Sequence, residues 1–105
     1  MIKISIQRSQ NHVIAFSSKG HAEYSEGDDI VCAAVSVLTV NTVNSIEKLT
    51  SKKFSAKEKD GYLNFRLIDS PDSETELLLQ SMIIGLQTIE KEYGSQFVNV
   101  TIVDC

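Results

Sequence analysis

From Ile30 to Ile46, between the acidic pair Asp28-Asp29 and the pair Glu47-Lys48, the chain carries no charged residue. Any fold for this chain has to accommodate that run. Val31, Val35, Val37, Thr39, Val40, Thr42 and Val43 are β-branched, so local propensity alone points to strand. Length overrules it, because an unbroken strand of about twenty residues lies far outside the usual range of roughly 3 to 10. The segment from about Asp29 to Thr50 is therefore predicted to be a helix, with an Asp cap at its start and Lys48 in its last turn. Tertiary packing, not local preference, has to hold it. Ser36, Thr39, Asn41, Thr42, Asn44 and Ser45 interrupt the run, and no stretch is expected to reach the roughly 20 apolar residues of a membrane span.

The flanking segments read as hairpins. Ile2, Ile4 and Ile6 alternate with Lys3, Ser5 and Gln7, Gln10-Asn11 supplies a turn, and Val13 to Ser17 returns. Phe54 to Lys57 and Tyr62 to Leu67 flank Lys59-Asp60-Gly61, and Asp-Gly is a strong hairpin signal because glycine accepts φ > 0. Ser70-Pro71 opens a second helix on which Leu78, Leu79, Met82, Ile83, Leu86, Ile89 and Tyr93 recur at helical spacing until Gly94. Phe97 to Val103 closes the order as a strand with Val98, Val100 and Ile102 on one face. The order ββαββαβ predicts an α+β two-layer sandwich, a mostly antiparallel sheet covered by two helices, in a single domain over residues 1–105.

Composition narrows the function classes. A chain of 105 residues can bury a core without metal or disulfide staples. Its two cysteines, Cys32 and Cys105, form no paired framework, and Met1-Ile2-Lys3 shows no basic-then-apolar leader, so a reduced, cytoplasmic setting is expected. The formal charge is −4, with Lys and Arg scattered along the chain. That predicts no nucleic-acid partner, and the lack of a run of about 20 apolar residues predicts no membrane partner.

Cys32 lies just inside the predicted start of the first helix, eleven residues after His21. The histidine sits in a segment, Gly20 to Gly27, bounded by glycines. A thiol attacks only as thiolate, and a helix N-terminus and a nearby imidazolium are two known ways of favouring that form. Peptide hydrolysis by such a pair needs His21 to hold and return a proton, and donors for a tetrahedral oxyanion. The N–H groups of the first helical turn, that of Cys32 included, are the expected donors. The plainer alternative makes Cys32 a small core hydrophobe and His21 a solvated loop residue. Asp29, three residues before Cys32, either caps the helix or orients His21. Ser36, one turn after Cys32, is either a hydrogen-bond partner in the pocket or a small residue that lets helices approach. Cys105 is assigned no role.

Gly20-His21-Ala22 followed by Gly27-Asp28-Asp29-Ile30-Val31-Cys32-Ala33-Ala34-Val35-Ser36 closely resembles the signature of the bacterial ribosomal-processing cysteine protease family, Prp. The element order and length agree with that family over essentially the whole chain. The resemblance implies a cysteine endopeptidase whose catalytic dyad is Cys32 and His21, with Asp29 and Ser36 as supporting or substrate-pocket residues and no cofactor or metal. It further implies a peptide substrate, the N-terminal extension of a large-subunit ribosomal protein (the L-twenty-seven protein), and dimers of small α+β subunits.

Three other classes compete with this one. They are a metal site built on His21, Cys32 and Asp28 or Asp29, a non-catalytic ribosome-associated binding module, and a thiol-redox protein. The metal site is short of Cys and His ligands, and the redox reading lacks a C-x-x-C. Apolar residues on every side of the first helix around Val35, Leu38 and Thr39 predict a homodimer, unless the second helix covers that flank. The loop is expected to act as an acidic flap, with Gly20 and Gly27 as hinges and Glu23 and Glu26 facing a basic substrate, or to be a plain solvated loop.

Overall fold

The computed structural model describes Met1–Cys105 as β1 (Ile2–Ser9), β2 (His12–Lys19), α1 (Ile30–Leu49), β3 (Phe54–Lys59), β4 (Tyr62–Leu67), α2 (Ser73–Tyr93) and β5 (Val98–Asp104). One five-stranded sheet runs in the order β3-β4-β2-β1-β5. Its pairings are antiparallel except β1 with β5. The predicted ββαββαβ order and two-layer α+β architecture are those observed. Gln10 and Asn11 both take positive φ, 51° and 65°, the conformation a two-residue turn needs to match strand twist. In the second hairpin only Gly61 does, at 70°.

Ile2, Ile4 and Ile6 of β1, Phe16 of β2, and Leu63 and Phe65 of β4 turn inward and meet Val31, Val35 and Ile46 of α1 and Leu79, Met82 and Leu86 of α2. The Phe65 ring stands 5.1 Å from Phe16 and 5.0 Å from Phe54. The two buried hydroxyls in the apolar run of α1, Thr39 and Thr42, do not oppose burial, because each is satisfied within the helix. Thr39 Oγ1 donates to the Val35 carbonyl at 2.9 Å and Thr42 Oγ1 to that of Leu38 at 2.7 Å. For the same reason the expectation about membrane length needs correcting. By length and composition α1 is apolar enough to cross a membrane, yet its Val31, Val35, Thr39, Thr42 and Ile46 are buried in the protein's own core.

Two further expectations change. The cap of α2 is Asp72, whose carboxylate accepts from Thr75 N at 2.8 Å, so Pro71 precedes the cap instead of starting the helix. The flank of α1 assigned to a second subunit is covered from within. Val35 and Thr39 are each only 2% exposed. Leu38 lies against Gly85 of α2, where an added Cβ would stand 2.8 Å from its Cδ1. The large apolar side chains left outward on the helices are Ile30, Val37 and Leu49 on α1 and Leu77 and Ile84 on α2.

Candidate active site

Strand β2 ends at Lys19 and the chain turns at Gly20, φ 98°. Only glycine fits there, since a Cβ would run into the Met1 carbonyl. Gly20 N–H donates to the Gly61 carbonyl at 2.8 Å, which ties the start of the loop to the tip of the β3–β4 hairpin. His21 then lies over Gly61, where an added Cβ would come within 2.7 Å of Nε2. Ala22 is buried and its N–H donates to Cys32 Sγ at 3.2 Å.

Cys32 is the third residue of α1 and half-buried. Asp29 caps that helix. Its Oδ1 accepts from Val31 N at 2.9 Å and Cys32 N at 3.0 Å, and its Oδ2 accepts from Tyr24 N at 2.8 Å. Partial desolvation pushes the Asp29 carboxyl up, but the N–H groups of Cys32, Tyr24, Ser25 and Val31 together outweigh it and hold the group below its ordinary 3.8. The loop is further held by the Tyr24 ring, edge-on to Tyr93 at 5.3 Å and to Phe97 at 5.1 Å.

His21 and Cys32 share a cleft of about 190 Å³ between α1 and the β3–β4 hairpin, with Val35, Val40 and Leu63 among its apolar lining and Ser36, Glu58 and Asp60 among its polar lining. The same pair also borders a more open depression on the other side, toward Gly27, Asp28 and Ile30. A chain laid across the pair would thus have a recess on either side. His21 is exposed and its ring makes no hydrogen bond to Cys32.

The residues singled out in the sequence are distributed unevenly. Cys32, His21, Gly20 and Ser36 line one cleft. Asp29 stands behind the helix start with its oxygens turned to backbone amides and makes no bond to His21. Gly27, φ 77°, has open space around it. The oxyanion donors expected from the first turn are already engaged. Val31 and Cys32 N–H serve the Asp29 carboxylate, and Ala33 N–H serves the Asp29 carbonyl at 3.0 Å. The amide that does point at the sulfur belongs to Ala22. Sequence reasoning missed this amide, and it missed Gly61 beneath His21. Asp60-Gly61 had signalled only a turn, and nothing local says that β4 will lie beside β2. With the Asp29 oxygens spent on amides, no group of three His, Cys, Asp or Glu side chains gathers here as metal ligands.

The profile of the family described as cysteine protease Prp matches residues 1–98. The chain belongs to the Prp family. It is 42% identical over 78 residues to the ribosomal processing cysteine protease Prp of Staphylococcus aureus, covering 71% of this chain and 74% of that one. To the Bacillus subtilis protein of the same name it is 35% identical over 101 residues, covering 89% and 90%. Among solved structures, the S. aureus Prp protease with a covalently linked product peptide superposes with a TM-score of 0.92 at 34% identity, covering 98% of this chain and all of that one. The same S. aureus protease with a substrate peptide gives 0.87. A Streptococcus mutans protein, SMU.848, gives 0.83 at 29% identity. As a Prp member the chain is a cysteine protease that hydrolyses peptide bonds, and the non-catalytic module gives way.

Proposed function

We propose that this Prp protease removes the N-terminal extension of a large-subunit ribosomal protein, the L-twenty-seven protein, with Cys32 as nucleophile and His21 as its acid–base partner. The observation that carries the assignment is the placement of the Cys32 sulfur. It lies at the start of α1, accepts the Ala22 N–H at 3.2 Å, and lines one cleft with His21. The Ala22 amide gives that sulfur a hydrogen-bond donor, and the shared cleft gives it an acid–base partner.

The Cys32 thiolate attacks the scissile carbonyl carbon and forms a C–S bond while the carbonyl electrons move to oxygen. Ala22 N–H, already aimed at the sulfur, is the donor offered to the developing oxyanion. Collapse of the intermediate breaks the C–N bond, and the His21 imidazolium gives its proton to the departing amine. His21 then takes a proton from water, which attacks the thioester and frees Cys32. His21 makes no bond to Cys32 in this conformation, and its exposed ring turns toward the reacting atoms once the substrate is seated, while Gly20 and Ala22 on either side of it stay anchored. Ser36, on the same wall of the cleft, meets the substrate backbone. Asp29 acts by holding the helix start and the loop. Glu23, Glu26 and Asp28 on the exposed loop suit the basic chain of a ribosomal protein. Such a substrate puts the reaction in the cytoplasm.

We also propose a homodimer, now resting on the outward Ile30, Val37, Leu77 and Ile84. Incubating the purified chain with its host's extended L-twenty-seven protein and mapping the products by mass spectrometry tests the function. One cut, inside the N-terminal extension, is expected, and an intact substrate would refute the assignment.

A further inference from the structure

The helices cover one face of the sheet, and the other face is open. Register brings Lys3 opposite Lys19, Lys19 opposite Tyr62 and Tyr62 opposite Lys59, so one cross-strand row over β1, β2, β4 and β3 reads Lys-Lys-Tyr-Lys. At the usual strand spacing the row spans about 14 Å. The two rows behind it add Lys57, opposite Asn64, and Arg66, opposite Ser55. All five cations are exposed. They are half of the ten in a chain with fourteen carboxylates, and no carboxylate stands in these rows.

The cations are also unpaired. The ion pairs of the fold are Arg8–Asp104 and Lys52–Asp72, and Arg66 donates instead to the neutral Gln7 side chain at 2.7 Å. Like charges directly opposite on a sheet are destabilising, yet Lys3 and Lys19 face each other with no compensating acid. The cations scattered along the sequence are thus gathered by the fold into one positive surface on an otherwise acidic protein. Between them stand hydroxyls and amides such as Ser5, Ser17 and Asn64 around a depression of about 410 Å³. One aromatic is fixed among them. Tyr62 accepts from Asn64 Nδ2 at 2.9 Å, and Lys19 Nζ lies 5.7 Å from its ring centroid.

We propose that this open sheet face binds single-stranded RNA. A positive surface that tracks phosphates, a sheet-borne aromatic for a base to stack on, and interspersed amides and hydroxyls for sugars and base edges are what such a ligand requires. A lipid surface would call for large apolar side chains to insert, and the three rows across β1 to β4 present none. The row lies at the same end of the sheet as the active site, since Lys19 leads into Gly20-His21 and Lys59 into Asp60-Gly61. Lys59 and Tyr62 also line the cleft that holds His21 and Cys32, so bound RNA would sit at its rim and extend from there over the open face. The inference goes beyond the proposed cleavage and does not depend on it.

The test is fluorescence anisotropy of a labelled twelve-nucleotide mixed-sequence RNA with the full-length chain over a range of salt, with cleavage of a short peptide followed in parallel. Binding is expected to weaken with salt along a log–log slope of about −0.7 for each phosphate engaged. The variant Lys3→Gln/Lys57→Gln/Arg66→Gln should flatten that slope by about 2 and lose affinity by at least tenfold with peptide cleavage unchanged. Lys48→Gln/Lys91→Gln, away from the face, should bind as the parent does. No RNA binding at low salt, binding that the triple variant retains, or equal binding of polyglutamate or of anionic phospholipid vesicles would each overturn the proposal. Loss of peptide cleavage alone would bear on the catalytic assignment and leave this one standing.

Discussion

Gly61 shows how a residue remote in sequence decides what His21 can do. Its carbonyl accepts from Gly20 N–H, and the space its missing side chain leaves is occupied by the imidazole. Gly61→Ala should lower peptide cleavage at least tenfold because the ring must move. It should also lower stability by about 1 kcal/mol, since alanine resists a φ of 70°. Gly61→Asn separates the two effects. Asparagine tolerates this conformation, so the melting temperature should recover while activity does not. Recovery of both would show that Gly61 serves only the turn. Asp29 is the second residue whose role the geometry reshapes. Asn at 29 can still cap Val31 and Cys32 but turns an amide NH₂ toward Tyr24 N–H, so Asp29→Asn should keep the helix and loosen the loop. Cleavage by that variant should fall less than in His21→Ala. The folded Asp29 carboxyl lies below its ordinary value, so its contribution to stability is present above about pH 4 and is lost as pH falls through the folded value. Acid titration of Asp29→Asn should accordingly show a shallower loss of stability below pH 4 than the parent, and parallel curves would contradict the capping role.

At the scale of elements, the helix over Ile30–Leu49 was legible despite its nine β-branched residues, because length leaves no other place for so long an uncharged run and Asp29 marks where it starts. Both hairpins were legible from turn residues and alternation. The partner covering α1 was not. Periodicity says that Val35, Leu38 and Thr39 are apolar or small enough to bury, but a second subunit and α2 satisfy them equally well on paper. Only the close approach at Gly85 decides for α2. The site divides in the same way. Cys32 and His21 carry a local signature in their flanking residues. The Ala22 amide, the Gly61 seat and the Tyr24 contacts with Tyr93 and Phe97 are made between segments that meet only in the folded chain. The cationic row has the same origin, since strand order and register assemble residues that are scattered along the sequence.

Taken as a whole, the molecule has one face closed by helices and one left open, and the cleft shared by His21 and Cys32 lies at one end of the sheet, where the loop after β2 meets the β3–β4 turn. The helical layer keeps Ile30, Val37, Leu77 and Ile84 outward. Light scattering at micromolar concentration should therefore report about twice the chain mass, and Val37→Glu should halve it without unfolding the chain, because Val37 is 67% exposed in the single subunit. A parent protein that scatters as a monomer would remove the dimer. The central claim, that Cys32 with His21 performs the hydrolysis, is tested most directly by assaying Cys32→Ala, His21→Ala and Cys105→Ala side by side on one peptide substrate, with circular dichroism to confirm that each is folded. The predicted result is no cleavage by the first, nearly none by the second and full activity in the third. Substantial cleavage by folded Cys32→Ala would contradict the account.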